Sequence, residues 1–85
     1  MPTKNVIVGS AVGLHARPAA LIAQAATEAG VPVTIATPGG TAVDAGSALM
    51  IMTLGAKAGS EVVVESADEA VLDKIASLIE QDLDA

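Results

Sequence analysis

Residues 60–83 read SEVVVESADEAVLDKIASLIEQDL, and within that stretch the hydrophobic period changes. Val62-Val63-Val64 forms a short β-branched run between Ser60 and Glu65, which predicts a strand with Glu61 and Glu65 on its exposed face. After Ser66-Ala67-Asp68-Glu69, apolar residues recur at Val71, Leu72, Ile75, Leu78 and Ile79, the stripe of an amphipathic helix running to about Leu83. Ser66 and Glu69 have the spacing of a capping box, so the helix is expected to start at Ser66. Asp73, Glu80, Asp82 and Asp84 fall on its solvated side.

The same alternation of signals runs back towards the N-terminus. Thr3 to Val8 alternates β-branched and polar residues and predicts a first strand, followed by a loop from Gly9 to Gly13. Ala16 to Ala29 is Ala-rich and lacks glycine, which predicts a helix closed by Gly30 as a left-handed C-terminal cap. Leu14, Leu21, Ile22 and Ala25 have roughly helical spacing, and the remaining surface of this helix is mostly Ala. Val31 to Thr37 predicts a second strand, Pro38-Gly39-Gly40 a turn, and Thr41 to Asp44 a short third strand closing a hairpin. Ser47 is a good N-cap for a short helix through Thr53, with a continuous apolar strand as the competing reading. The element order is β-α-β-β-α-β-α. It implies an α+β fold with one antiparallel or mixed sheet and its helices on a single face.

Composition narrows the function. Eighty-five residues leave room for one small domain spanning residues 1–85, and 52% of them are hydrophobic without a single Phe, Tyr or Trp. A net charge of −6, with Lys4, Arg17, Lys57 and Lys74 scattered along the chain, argues against nucleic acid as a partner. The absence of cysteine removes disulfides and zinc-thiolate sites. No apolar run is long enough to span a membrane, and Met1 to Asn5 has no apolar core of a secretory signal, so a soluble cytoplasmic protein is expected, with a monomer as the default.

His15 is the one histidine, and it stands where the first loop meets the first helix. The first N–H groups of a helix have no intrahelical partner, and the macrodipole there favours negative charge. Arg17 adds a fixed cation two residues on, and Pro18 falls in the first turn, where a missing N–H costs little. A phosphate carried on His15 would therefore be welcome, cradled by the backbone N–H groups of Ala16 and Arg17. With no second histidine and no cysteine, a metal site is not expected. No Gly-rich P-loop is present, so the phosphoryl donor is expected to be a partner protein.

Gly13-Leu14-His15-Ala16-Arg17-Pro18-Ala19 resembles the active-site signature of the HPr family of phosphocarriers. Thr53-Leu54-Gly55 resembles that family's Leu-Gly segment, and Gly46-Ser47-Ala48-Leu49-Met50 its serine-bearing helix. The resemblance implies an open-faced β-sandwich, a four-stranded antiparallel sheet with three helices on one face. It implies that His15 accepts phosphate on Nδ1 from Enzyme I, which phosphoenolpyruvate charges, and passes it to IIA components of sugar permeases. Arg17 would stabilise the phosphate, and no cofactor or metal would be bound.

By the same resemblance Ser47 matches a regulatory serine that an HPr kinase/phosphatase modifies in some members; read from the residues alone, it is an N-cap. Gly46 stands where many relatives carry a basic residue. Ala16, Ala20, Leu21, Ala48, Leu49 and Met52 would form the face that docks Enzyme I and IIA. Gln24 and Thr27 occupy positions where lysines are expected on that face, so electrostatic steering is expected to be weaker. The alternatives are a phosphocarrier of a regulatory, nitrogen-related branch, a regulatory binding module on the same fold, and an acyl carrier using Ser47. The last conflicts with the Val-rich strands.

Overall fold

A computed structural model describes residues 2–81. Strands β1 (Thr3–Ile7), β2 (Val33–Ala36), β3 (Val43–Asp44) and β4 (Glu61–Ser66) form one sheet in the order β1-β4-β2-β3. All three pairings are antiparallel, with Val6 opposite Val62, Ile35 opposite Val64 and Ile35 opposite Val43. Helices α1 (Ala16–Ala29), α2 (Ala48–Thr53) and α3 (Glu69–Glu80) complete the β-α-β-β-α-β-α order.

Alternation along the strands decides which face the helices cover. Val6, Val33, Ile35, Val62 and Val64 are buried, whereas their neighbours Ile7, Thr34, Ala36 and Glu61 remain partly or fully exposed. A sheet with one face buried and the other solvated is the usual antiparallel arrangement. Ile22 of α1, Ile51 of α2 and Leu72, Ile75 and Ile79 of α3 meet the buried face, so branched aliphatics and Ala fill the core in place of aromatic rings. On the open face the Asn5 amide donates to Glu61 at 3.3 Å.

The elements fall close to their expected positions, with instructive differences. β2 begins at Val33 and excludes Val31, because Pro32 between them has no N–H for the ladder. The N-cap of α3 is Asp68 rather than Ser66: its carboxylate accepts from the N–H groups of Ala70 and Val71 at 2.9 and 3.2 Å. Ser66 is held in β4 opposite Val33, buried, and its hydroxyl accepts from the Asp68 N–H instead. The sheet therefore claims the first half of the expected capping box. α3 closes at Glu80 with Gln81 extended, earlier than the expected end near Leu83. Leu83, with Asp82 and Asp84, lies outside the described residues. α2 is a helix, which resolves the alternative of a strand, and the sheet excludes an all-helical carrier.

One contact fixes how α3 meets the start of the first loop. The Gly9 N–H donates to the Ile79 carbonyl at 3.0 Å, and a Cβ at position 9 would lie 1.7 Å from the Glu80 carbonyl oxygen. Among the described residues no helix is long and apolar enough to cross a membrane.

Candidate functional site

Two loops meet at one end of the sheet. Val8 N–H donates to Ser60 O at 2.8 Å and Gly59 N–H donates to Val8 O at 2.9 Å, which ties the end of β1 to the loop before β4. Further along, Leu14 N–H donates to Ala56 O at 3.0 Å. Gly13 makes this approach feasible. Its φ is +75°, and a Cβ there would lie 2.5 Å from Ala56 O and 2.9 Å from the Lys57 Cα. Only glycine combines that backbone angle with that proximity.

The turn at Gly13 delivers Leu14 into the core and His15 to the surface as the N-cap of α1. His15 is extended at φ −91° and ψ −166°, and its ring Nδ1 accepts from the Ala16 N–H at 2.9 Å. Nδ1 is thus unprotonated in this arrangement, and in the neutral ring the proton belongs to Nε2. Behind it the Ala19 N–H is satisfied by the His15 carbonyl at 2.9 Å. Pro18 is buried and has no N–H to satisfy. The Arg17 N–H has no partner among the described residues. The helix therefore opens with one amide on the imidazole and one amide free; the Arg17 side chain is exposed in the same first turn and does not line the depression beside His15. This set of donors suits a group carrying several anionic oxygens.

His15 lines an open depression of about 240 Å³ with Val12, Leu14, Met52, Gly55, Ala56 and Lys57. Sequence spacing gave no sign of Lys57 or Val12 here. Lys57 sits in a loop far along the chain, and the contacts between the two loops at Val8, Gly13 and Leu14 bring it to the same depression as the histidine. Val12, 58% exposed, is an apolar residue outside any strand or helix, and that mismatch was its only signal.

The expected docking residues lie on α1 and α2. Ala16, Ala20 and Leu21 are exposed on α1, and Leu49 on α2 is 69% exposed, while Ala48 and Met52 are half-buried. Met50, 41% exposed, joins the patch although the sequence reading left it out. Gln24 and Thr27 line a shallow groove between the two helices with Ala20, Ala23, Glu28, Gly46 and Ala48. Ser47 is the N-cap of α2, and its hydroxyl accepts from the Met50 N–H at 3.3 Å. It stands apart from the depression beside His15.

Comparison with known proteins agrees with this geometry. The family model described as "PTS HPr component phosphorylation site" matches residues 2–81. The chain is 46% identical to the phosphocarrier protein HPr of Streptomyces coelicolor, over 99% of this chain and 94% of that protein. Among solved structures it resembles a phosphocarrier protein HPr from Bacillus anthracis, with a TM-score of 0.84 at 32% identity over 92% of this chain and 95% of the other. It also resembles HPr-C-His from Thermoanaerobacter tengcongensis, with a TM-score of 0.88 at 28% identity over 100% of this chain and 98% of the other.

Proposed function

The chain belongs to the HPr family of phosphotransferase-system phosphocarriers, and from that premise we propose that His15 Nδ1 is its phosphoryl acceptor, charged by Enzyme I and discharged to IIA components of sugar permeases. As an HPr it is a phosphotransfer intermediate phosphorylated on histidine, a substrate and donor for other proteins and not an enzyme itself. Its partners are of the phosphotransferase system. We place this exchange in the cytoplasm.

The observation that carries the assignment is the Ala16 N–H on His15 Nδ1 at 2.9 Å. That bond presents the Nδ1 lone pair at the helix N-terminus, among donors that favour anions. Transfer begins as the ring turns off the amide. The Nδ1 lone pair attacks phosphorus, and the new N–P bond forms as the bond from phosphorus to the donor breaks, the donor keeping that electron pair. The positive charge left on the ring is relieved when Nε2 releases its proton to solvent. The Ala16 N–H, freed from Nδ1, then donates to a phosphoryl oxygen beside the Arg17 N–H and guanidinium. Each charge-assisted bond contributes about 1.5–3 kcal/mol, and the exposed setting places them at the low end. A carrier needs that restraint, because a phosphoryl group held much more tightly would not leave.

A reconstituted relay tests the role. Radiolabelled phosphate from phosphoenolpyruvate should reach a cognate IIA protein only when Enzyme I and this chain are both present. Equal labelling of the IIA protein without the chain would contradict the assignment.

A further inference from the structure

We propose that Lys57 is a second cation of the phosphorylation site, holding the phosphoryl group on His15 together with Arg17. The inference rests on the His15 assignment above and extends it to a residue outside the signature around His15. Three observations carry it. Lys57 lines the same open depression as His15, together with Met52, Gly55 and Ala56. Its position is set by the frame of the site, since the Lys57 Cα lies against Gly13, its N–H is held by the Ser60 hydroxyl at 3.3 Å, and Leu14 is bonded to the adjacent Ala56 carbonyl. Its charge is also uncommitted. The ammonium of Lys4 is paired with Asp73 at 3.3 Å, whereas neither Lys57 nor Arg17 has a carboxylate partner among the described residues.

The electrostatic setting gives that charge a purpose. The chain has ten acidic residues against four Lys and Arg, yet no carboxylate lines the depression beside His15. A phosphoryl group on His15 would have Lys57 on the loop side and Arg17 in the first turn of α1, with no carboxylate in the lining to oppose it. Arg17 supplies a planar fork suited to two oxygens. Lys57 supplies a compact point charge on a flexible stem that can follow the group as the ring turns. Lys57 favours the charged carrier, and being exposed it favours it only modestly, so the group can still leave.

The test compares wild type with Lys57→Gln, Lys57→Arg and Lys74→Gln, the last removing the same charge from the exposed face of α3. Each protein is phosphorylated on its single histidine in two ways, chemically with phosphoramidate and through phosphoenolpyruvate and Enzyme I. Lys57→Gln should shift the phosphoryl-transfer equilibrium with Enzyme I roughly two- to fivefold towards the uncharged chain. It should also raise the midpoint of the ³¹P NMR titration of the phosphoryl group, because loss of the cation disfavours the dianion. Lys57→Arg should restore both readouts, Lys74→Gln should move neither, and the difference should shrink at high salt. A Lys57→Gln protein matching wild type in both would overturn the inference, as would an equal shift from Lys74→Gln. Failure of the carrier role has a separate signature, in which wild type takes phosphate from phosphoramidate but none from Enzyme I.

Discussion

Gly13, His15 and Arg17 divide the work of the site at the level of single residues. Gly13 brings two loops into contact, His15 accepts the Ala16 N–H on Nδ1, and the exposed Arg17 in the same turn is the residue we propose adds charge there. Replacing Gly13 with Ala forces a Cβ into the Ala56 carbonyl at 2.5 Å with φ at +75°. We expect a loss of about 1–3 kcal/mol, read as a lowered melting temperature, together with slower phosphoryl transfer as His15 is displaced. Arg17→Ala should leave the fold intact and weaken phosphoryl retention roughly tenfold or more, the worth of one charge-assisted bond. Arg17→Lys should recover only part of that in the same transfer assay, since an ammonium cannot bind two oxygens as a fork does. The placement of His15 at the start of α1 was legible in the sequence, because a lone histidine between a glycine loop and an Ala-rich run falls at a helix start by local rules alone. Lys57 was not, because nothing in its neighbourhood encodes contact with Gly13.

Secondary-structure elements were readable wherever period and punctuation agreed, and misread where two signals competed. α1 shows agreement: an Ala-rich run bounded by His15 and by Gly30 at φ +73° gives the bounds the sequence predicts. The start of α3 shows competition. Ser66 and Asp68 can both cap a helix, and spacing to Glu69 favours Ser66. Pairing with Val33 and a hydrogen bond from the Ser66 N–H to Pro2 O decide otherwise. Asp68→Ala should therefore cost about 1 kcal/mol, lowering the melting temperature by roughly 4–8 °C. Glu69→Ala, at a position without a cap bond to lose, should cost much less. Equal effects from the two substitutions in thermal melts would restore the capping-box reading.

Across the whole molecule, a net negative charge coexists with exposed apolar residues on α1 and α2. The chain carries a net −6, while the patch formed by Leu21, Leu49 and Met50 is apolar and partly or largely exposed. Gln24 and Thr27 leave the groove between α1 and α2 without a cation, and Glu28 is its one charged residue. Docking through this face would then rest on apolar burial more than on long-range attraction. Leu49→Asp should weaken binding to Enzyme I at least tenfold while leaving the melting temperature nearly unchanged, since Leu49 is 69% exposed. An aliphatic core this small has little to spare: Ile22→Ala, at a fully buried position, should cost about 2–5 kcal/mol, a large share of the stability a domain of this size possesses.

Every role proposed for these residues depends on one phosphoryl group residing on His15. Intact-mass spectrometry after incubation with phosphoenolpyruvate, Mg²⁺ and Enzyme I addresses it directly. Wild type should gain the mass of one phosphoryl group and lose it on brief acid treatment, as a phosphoramidate bond does, and His15→Ala should gain none. Phosphate retained by His15→Ala, or an acid-stable adduct on wild type, would place the group on another residue and contradict the account.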